Sequence, residues 1–315
     1  MYLLGFDIGG TKCAVNTAEW DGESITLLKK EVYPTDLSVA PEKMIARLIE
    51  CADRLIDRRP DSVGISCGGP LDSERGVILG PPNLPGWDRV EIVKMISEHF
   101  GAPTHLENDA NACAVAEWKF GAGRGSRNMV FLTFGTGLGA GLILNGQLYS
   151  GTNGNAGEVG HVRLADEGPV GFGKAGSFEG FCSGGGIGRL AYRMALENTK
   201  KGIRPSYFTD GMTENDVTAR AVADAARGGD PTALEVYRIS GTYLGKGLAM
   251  LIDVLNPERI VIGSVFLRSG DLLADALWTV LKSEALGPSL DVCTVVPAGL
   301  GESIGDYAAI ATALL

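Results

Sequence analysis

The feature that most constrains the fold is a pattern that occurs twice: a short apolar run, a turn of glycine and threonine, and a second apolar run. The copies occupy residues 3–18 and 129–144, with Gly9-Gly10-Thr11-Lys12 and Gly135-Thr136-Gly137-Leu138-Gly139 as their turns. Apolar runs bounded by glycine predict strands joined by a turn. We interpret the repetition as two similar domains, each with one glycine turn.

The remaining chain alternates strand and helix patterns, which is typical of an α/β protein. A buried strand is predicted at 62–66, and an Asn-Gly pair at 145–146 predicts a hairpin. The segment 121–126 is rich in glycine and indicates a domain boundary. Apolar spacing predicts helices at 41–57, 185–200, 214–227, 231–254, 271–285 and 303–315.

Length and composition exclude several classes of protein. A chain of 315 residues with 45% hydrophobic composition is long enough for two domains. A formal net charge of −10 argues against a nucleic-acid surface, which needs a basic patch. Six cysteines without C-x-x-C spacing indicate free thiols in a reducing compartment. Because no signal peptide or membrane span is recognisable, we expect a cytoplasmic protein that binds neither nucleic acid nor membrane.

The first glycine turn is a candidate phosphate-binding loop. Gly9 and Gly10 allow positive φ and expose N–H groups that can surround a phosphate, and Thr11 and Lys12 add a hydroxyl and an ammonium. Asp7 precedes the turn and would approach a phosphate through Mg²⁺. An ordinary hairpin turn is the alternative explanation for the glycines.

An asparagine and an aspartate, Asn108 and Asp109, precede an alanine-rich helix. The apolar run 104–107 predicts a strand, so the pair lies where a strand meets a helix N-terminus. Open α/β sheets bind ligands at that edge. Both residue types are also good N-caps, and capping is the alternative explanation. We take Asp109 as the candidate catalytic base.

Other loops carry side chains suited to polyol recognition. Asn83, in a proline-rich loop, has both the donor and the acceptor that a sugar hydroxyl requires. Glu158 and His161 lie three residues apart in a glycine-rich loop and could bind a polyol. A histidine with a purely structural role is the more common case. The G-x-G-x-x-G run at 171–176 is not interpreted as a dinucleotide site, because no long strand precedes it and no helix clearly follows.

Together these segments resemble the ROK family (repressors, open reading frames, kinases) of sugar kinases, within the actin-like, ribonuclease H-like ATPase superfamily. The motifs that carry the resemblance are DIGGTK at 7–12, ENDANA at 107–112, GTGLGAG at 135–141 and NGNAGEVGH at 153–161. The resemblance implies an α/β fold of two ribonuclease H-like domains with an interdomain active-site cleft. The N-terminal domain would contain 1–120 and 303–315, and the C-terminal domain 121–302.

The resemblance also implies an ATP-dependent hexose kinase of glucokinase type that forms a homodimer. Asp109 would accept the proton of a hexose hydroxyl, usually O6, as that hydroxyl attacks the γ-phosphoryl group. The implied sugar-binding residues are Gly69, Asn83, Asn108, Asp109, Glu158, His161 and Glu179. The implied residues around Mg²⁺ and the phosphates are Asp7, Gly9, Gly10, Thr11, Lys12, Thr136 and Gly137, with Asp7 facing Mg²⁺ and Gly263 near adenosine.

Several alternatives stay open at this point. The acceptor could be N-acetylglucosamine, N-acetylmannosamine, fructose, mannose or a β-glucoside, and the donor could be polyphosphate. A transcriptional regulator is a different class, but the family's repressors carry a helix-turn-helix segment before the kinase-like body, whereas the first predicted strand here begins at residue 3. A sugar sensor without turnover is a third class, and the presence of Asp109 argues against it.

One departure from the family pattern concerns zinc. ROK kinases typically carry a C-x-C-G-x-x-G-C-x-E motif, and the matching run 170–179 keeps the glycines and Glu179. Val170, Phe172 and Ser177 replace its three cysteines, so a tetrahedral zinc site is not expected. We expect apolar packing by Val170 and Phe172 to shape the loop that carries His161 instead.

We therefore predict that the purified protein contains no stoichiometric zinc, because the residues at the cysteine positions are poor zinc ligands. Metal analysis after treatment with a chelator measures this directly. One zinc ion per chain would contradict the prediction.

Overall fold

A computed structural model describes all 315 residues, and the chain divides into two compact units. Unit 1 contains Met1–Ser126, Gly141–Ala156 and Gly299–Leu315, and unit 2 contains Arg127–Ala140 and Gly157–Ala298. In this division the hairpin segment 141–156 belongs to unit 1. The predicted domain boundaries at 121 and 303 stay predictions.

Strands and helices both occur throughout the chain, as expected for the α/β class. The strands are β1 (Tyr2–Ile8), β2 (Lys12–Trp20), β3 (Ile25–Pro34), β4 (Ser62–Cys67), β5 (Leu71–Asp72), β6 (Val77–Ile78), β7 (Thr104–Asn108), β8 (Met129–Leu132), β9 (Ala140–Leu144), β10 (Gln147–Leu148), β11 (Val170–Gly171), β12 (Lys174–Ala175), β13 (Arg259–Ile262) and β14 (Thr294–Pro297). The α-helices are α1 (Pro41–Leu55), α2 (Ile92–Phe100), α3 (Asp109–Phe120), α4 (Phe178–Phe181), α5 (Gly184–Lys200), α6 (Ala219–Arg227), α7 (Pro231–Leu255), α8 (Val265–Glu284), α9 (Gly287–Asp291) and α10 (Ile304–Thr312).

The sheet of unit 1 has the strand order β3-β2-β1-β4-β7. Strands β1, β2 and β3 are antiparallel neighbours, whereas β4 runs parallel to both β1 and β7. In this register Ile8 pairs with Cys67, and Cys67 pairs with Asn108. The carboxyl ends of β1, β4 and β7 therefore meet at one edge of the sheet, where ligands bind in open α/β folds.

The core of unit 1 lies on both faces of its sheet. Alternate β1 residues Leu4, Phe6 and Ile8 pack with the apolar side chains of α1 and α2, because successive side chains of a strand point to opposite faces. Leu3 faces the other way and packs with Ile310 of α10. Burial on both faces explains why the central strands are almost continuously apolar.

Close packing of α10 on the sheet depends on a glycine in β4. A Cβ atom on Gly64 would overlap the carbonyl oxygen of Ala309 in α10. The same helix packs against Gly5 of β1, where a Cβ would lie 3.0 Å from the Ala309 Cβ. Glycine is needed at these positions because the helix backbone approaches the strands closely.

Glu117 connects the end of α3 to the segment that precedes α10. Its side chain is fully buried. Its carboxylate accepts hydrogen bonds from the amides of Ala122, Gly299 and Leu300, at 2.7, 3.0 and 2.9 Å. A buried carboxylate is tolerated when several donors satisfy it, so this interaction fixes both segments within unit 1.

The predicted Asn-Gly hairpin is confirmed by β9 and β10, which pair antiparallel with Leu144 opposite Gln147. Asn145 and Gly146 both adopt positive φ, at 55° and 77°. This is the conformation that a two-residue type I′ turn requires.

In unit 2, β13 runs parallel to both β8 and β14. The long helix α7 packs against α8 through two glycines. A Cβ on Gly241 would lie 2.6 Å from the Leu273 carbonyl oxygen, and one on Gly245 would lie 2.7 Å from that of Leu277. These two glycines therefore allow close packing of the two helices.

Two predicted helices of unit 2 have different bounds. The predicted helix at 214–227 is broken, because Thr218 caps α6 through the Ala221 amide and a short 3₁₀ turn, Glu214–Asp216, precedes it. The predicted helix at 271–285 begins earlier, at Val265. No helix in the structure combines the length and apolar character that a membrane crossing requires.

We predict that Gly64→Ala lowers the thermal unfolding midpoint, with a loss of about 3 kcal/mol, because the added methyl group collides with the backbone of α10. Circular dichroism during heating measures the midpoint. Gly287→Ala is the control, because a Cβ there meets no atom within 4 Å. Equal midpoints for the two variants would contradict the packing argument.

Candidate active site

The carboxylates Asp7 and Asp109 lie at the edge of the unit 1 sheet where β1, β4 and β7 end. Burial, then the charges of Asp109 and Asp306, raise the pKa of Asp7 to about 6, and Lys12 and Lys30 oppose this shift. One carboxylate raises the pKa of another only at short range, so the Asp109 and Asp306 charges lie close to Asp7. The ion pair of Asp306 with Lys30, at 2.6 Å, neutralises only part of the negative charge of these carboxylates.

Asp109 is the first residue of α3, and its side chain is accessible to solvent. Crowding by surrounding protein atoms nevertheless desolvates the carboxylate and raises its pKa. The Ala110 amide donates to Asp109 Oδ1 at 2.8 Å. One oxygen is therefore held by the helix N-terminus, which leaves the other carboxylate oxygen for a ligand.

Asn108 has the capping role that the sequence left open. Its side-chain oxygen accepts a hydrogen bond from the Ala110 amide at 2.9 Å. Its Nδ2 atom would lie 3.2 Å from a Cβ on Gly69, so it faces the loop after β4. Asn108 thus caps α3 with one atom and presents a donor to the predicted sugar loop with another.

Asn83 belongs to the same cluster. A Cβ on Gly68 would lie 3.7 Å from both polar atoms of the Asn83 side chain and 3.9 Å from Asp109 Oδ2. The structure therefore brings together Asn83, Gly69, Asn108 and Asp109, all of which the sequence predicted to contact the sugar. They belong to unit 1.

The sequence analysis did not identify Glu107, which stabilises this cluster through hydrogen bonds. Its buried carboxylate accepts hydrogen bonds from the Asn108 amide at 2.8 Å, from Asn111 Nδ2 at 3.0 Å and from Ser73 Oγ at 3.2 Å. Burial raises its pKa. The signal in the sequence was an acidic residue inside a predicted strand, because a glutamate is rarely buried without partners.

The first glycine turn differs from the expected phosphate nest. Neither Gly9 nor Gly10 has positive φ, and the Gly9 amide donates within the turn to the Lys12 carbonyl at 3.1 Å. Glycine is required at position 10 for space, because a Cβ there would overlap the Asn83 carbonyl oxygen. The exposed side chains of Thr11 and Lys12 are the parts of this turn that remain for a phosphate.

The donors around Asp7 suit Mg²⁺. Proteins usually hold Mg²⁺ with one or two carboxylates while substrate phosphates and water complete the octahedron. Burial and the neighbouring carboxylates disfavour the ionised form of Asp7, and a divalent cation would favour it. No group of three or more histidine, cysteine or acidic side chains forms a complete metal site by itself.

The second glycine turn lies on the N-terminal end of α5 in unit 2. The amides of Gly184 and Gly185 donate to the carbonyls of Gly135 and Thr136, at 2.7 and 3.2 Å. Glu179 Oε2 accepts the Leu138 amide at 3.1 Å. Thr136, Gly137 and Glu179, all predicted site residues, are thus neighbours.

Glu158 precedes a 3₁₀ turn, Val159–His161, whose last residue is His161, and both side chains are exposed. A Cβ on Gly160 would lie 3.3 Å from the Glu179 Cβ. The segment that carries Glu158 and His161 therefore packs next to Glu179.

The expectation of apolar packing at 170–172 was wrong. Val170 and Phe172 are 47% and 80% exposed, because they lie in the β11–β12 hairpin, which points its tip toward solvent. The Phe172 and His161 rings meet in a T-shaped arrangement, with 6.3 Å between their centroids. The hairpin is instead held by hydrogen bonds, including Lys174 Nζ to the His161 carbonyl at 2.8 Å, and by buried Ser177, which caps α4.

Gly263 follows β13, and its amide donates to the Leu132 carbonyl at 3.0 Å. A Cβ there would lie 3.3 Å from the Phe131 ring. Packing alone accounts for this glycine, and its place near adenosine stays a prediction.

Comparison with known proteins identifies the relatives of this chain. The sequence profile of the ROK family matches residues 3–314. A glucokinase of Streptomyces coelicolor is 31% identical over 305 residues, which is 96% of this chain and 94% of the relative.

Two solved structures are also similar. The ROK hexokinase from Thermus thermophilus has a TM-score of 0.79 at 31% identity and covers 100% of this chain and 98% of its own. The ROK family glucokinase from Streptomyces griseus, in complex with glucose and AMPPNP, has a TM-score of 0.77 at 29% identity. The match covers 100% of this chain and 99% of the glucokinase chain. The chain therefore belongs to the ROK family.

Proposed function

We propose that this protein is a glucokinase-type hexose kinase that transfers the γ-phosphoryl group of ATP to a sugar hydroxyl, O6, with Asp109 as the general base. The broader prediction, an ATP-dependent sugar kinase, is confirmed by the glucokinase relative and by the structures of ROK kinases. The proposal consists of three further points: glucose as the acceptor, O6 as the attacking hydroxyl and Asp109 as the base.

The observation that carries the proposal is the environment of Asp109. Desolvation raises the pKa of its carboxylate, and a more basic carboxylate is a better proton acceptor. The same residue lies beside Asn83, Asn108 and the glycine loop at 68–69, where hydroxyl donors and acceptors are available. Phosphoryl transfer needs mainly alignment of the reacting groups and neutralisation of charge. On the side of the sugar, the protein therefore needs only one correctly placed base to accept the hydroxyl proton.

The roles of the other residues follow the family resemblance and the local geometry. Asp7 would hold Mg²⁺, which neutralises charge on the donor phosphates when bound. Thr11, Lys12, Thr136 and Gly137 would contact those phosphates, and Glu158, His161 and Glu179 would orient the sugar. A cleft that closes on both substrates, and a homodimer, are further parts of this proposal that rest on the resemblance.

A coupled ADP-release assay over a panel of sugars tests the proposal. We expect turnover with glucose in the presence of Mg²⁺ and ATP, and slower turnover with N-acetylglucosamine, N-acetylmannosamine, fructose, mannose and a β-glucoside. Another sugar as the preferred acceptor would replace glucose in the proposal, whereas no turnover with any member would remove the kinase assignment.

We predict that Asp109→Asn lowers kcat by about 100- to 10,000-fold, because the amide cannot accept the hydroxyl proton. Asparagine retains an oxygen for the Ala110 amide, so sugar binding measured by calorimetry should largely survive. Asp275→Asn, an exposed change on α8, serves as the control. Unchanged turnover in Asp109→Asn would exclude Asp109 as the base.

We predict that Asp7→Asn abolishes turnover but stabilises the free protein by about 1 to 2 kcal/mol at pH 7.5, because it removes a desolvated charge. Folding raises the pKa of Asp7 from its ordinary value of 3.8 to about 6, so the cost of ionisation to folding grows between these pH values and is complete above them. At pH 4 the carboxyl of the folded protein is protonated, so most of the gain should disappear.

Urea unfolding of wild type and Asp7→Asn at pH 7.5 and pH 4 measures this difference. A stabilisation of the same size at both pH values would show that the effect does not come from the charge of Asp7.

A further inference from the structure

The β11–β12 hairpin turns through two residues, Phe172 and Gly173, because Gly171 pairs with Lys174. Both turn residues have positive φ, at 41° and 75°. A two-residue turn of this kind is the type I′ turn, whose first central position favours asparagine, aspartate or glycine. A phenylalanine with positive φ is an outlier, because its Cβ atom approaches a backbone carbonyl oxygen. The turn itself therefore does not account for an aromatic residue at position 172.

The β9–β10 hairpin of the same chain makes the same kind of turn with the favoured residue. Its turn residues, Asn145 and Gly146, have φ values of 55° and 77°. The two turns thus differ at their first position, where one has asparagine and the other has Phe172. Strained residues persist where the surrounding structure imposes their conformation, and they cluster at functional sites. The comparison indicates that the Phe172 ring has a role that outweighs the strain.

The base of the β11–β12 hairpin is fixed by the protein around it. The Ser177 hydroxyl donates to the Gly171 carbonyl at 3.4 Å. Arg163 Nη1 donates to the Ala175 carbonyl at 2.7 Å. Both strands of the hairpin are therefore held in place, and the turn presents the Phe172 ring to solvent at 80% exposure.

The Phe172 ring lies beside two of the residues that we propose for sugar binding. It meets the His161 ring at an interplanar angle of 76°, with 6.3 Å between the centroids. The preceding residue, Gly171, packs on Glu179, because a Cβ on Gly171 would lie 2.9 Å from the Glu179 Cβ. An exposed aromatic ring therefore adjoins an imidazole and a carboxylate, both of which can hydrogen-bond to hydroxyl groups.

A pyranose has apolar surface as well as hydroxyl groups. In the chair form of β-glucose every hydroxyl group is equatorial, so both faces of the sugar ring present C–H groups. Such a face can pack on an aromatic ring, which removes apolar area of both partners from water. An axial hydroxyl group, at C2 in mannose or at C3 in allose, interrupts one of the two faces. An aromatic wall therefore distinguishes hexoses by the orientation of their hydroxyl groups.

We infer that Phe172 determines acceptor specificity: its ring packs on a C–H face of the hexopyranose whose hydroxyl groups Glu158, His161 and Glu179 bind. This inference rests on the proposed function and deepens it, because it states which shape of acceptor the site prefers. Glucose, with equatorial hydroxyl groups throughout, presents an uninterrupted face to the ring. The loss of this contact offsets part of the binding energy of a hexose with an axial hydroxyl group on that face.

Replacement of Phe172 by the residue that the turn favours separates the two roles of this position. We expect Phe172→Asn to weaken glucose binding about tenfold, because the apolar contact is lost. Calorimetry without nucleotide measures this affinity. The unfolding midpoint of the same variant should not fall, because asparagine relieves the strained turn. Phe172→Tyr keeps the ring and should keep the glucose affinity of the wild type.

The opposite replacement in the β9–β10 hairpin is the matched control for the strain. Asn145→Phe places a phenylalanine at the first position of that turn and should lower the unfolding midpoint. An unchanged midpoint would show that phenylalanine is not strained there, which would overturn the inference. Val254→Asn removes a 75% exposed apolar side chain from α7 and should leave glucose binding unchanged.

Steady-state kinetics with glucose, mannose and allose test the specificity. We expect Phe172→Asn to raise KM for glucose about tenfold with kcat largely unchanged, because the contact is made before and during the reaction. The increase should be smaller for mannose or for allose, according to the face that the ring contacts. An increase of the same size for all three sugars would overturn the inference, and so would unchanged glucose binding.

Failure of the proposed function gives a different result. Glucose binding that depends on Phe172 without turnover would leave the inference intact and remove the kinase assignment. Turnover with glucose at an unchanged KM in Phe172→Asn would remove the inference and leave the kinase assignment intact.

Discussion

The repulsion between the Asp7 and Asp109 carboxylates is the constraint on which the proposed chemistry depends. Parallel pairing of β1, β4 and β7 brings these residues to one sheet edge, and the N-terminus of α3 holds one oxygen of Asp109. Partial desolvation by the surrounding protein then weakens the screening of the charges by water. The fold therefore maintains an arrangement that is unfavourable for the free protein. A cation and a proton-donating hydroxyl are the ligands that would relieve it, and these are the partners a sugar kinase needs at this position.

Glycine has a steric role at many of the positions that matter here. Gly10 leaves room for the Asn83 carbonyl, Gly64 for the α10 backbone, and Gly241 for α8. None of these three has positive φ. Their common property is the absence of a side chain where two backbones meet, which allows polar loops and helices to approach more closely than alanine would permit.

The sequence predicted much of the fold because local signals agreed with the final packing. Alternating apolar residues, the Asn-Gly turn at 145–146 and the strand before Asp109 needed no tertiary information. The break before α6 was missed because Thr218 is only one residue of a periodic segment, and its capping bond forms in three dimensions. Phe172 was assigned to packing from its apolar character, but the hairpin turns it toward solvent. Glu107 was missed because its significance lies in hydrogen-bond partners that residue spacing does not reveal.

The contacts of Glu117 also have a consequence for how the chain folds during translation. The segments that this carboxylate holds lie on either side of unit 2 in the sequence, and α10 follows the second of them. Until α10 has been synthesised, the face of β1 and β4 that it covers stays open on the nascent chain. The sheet of unit 1 therefore exposes apolar surface while unit 2 is translated, and exposed apolar surface makes partly folded chains prone to aggregation.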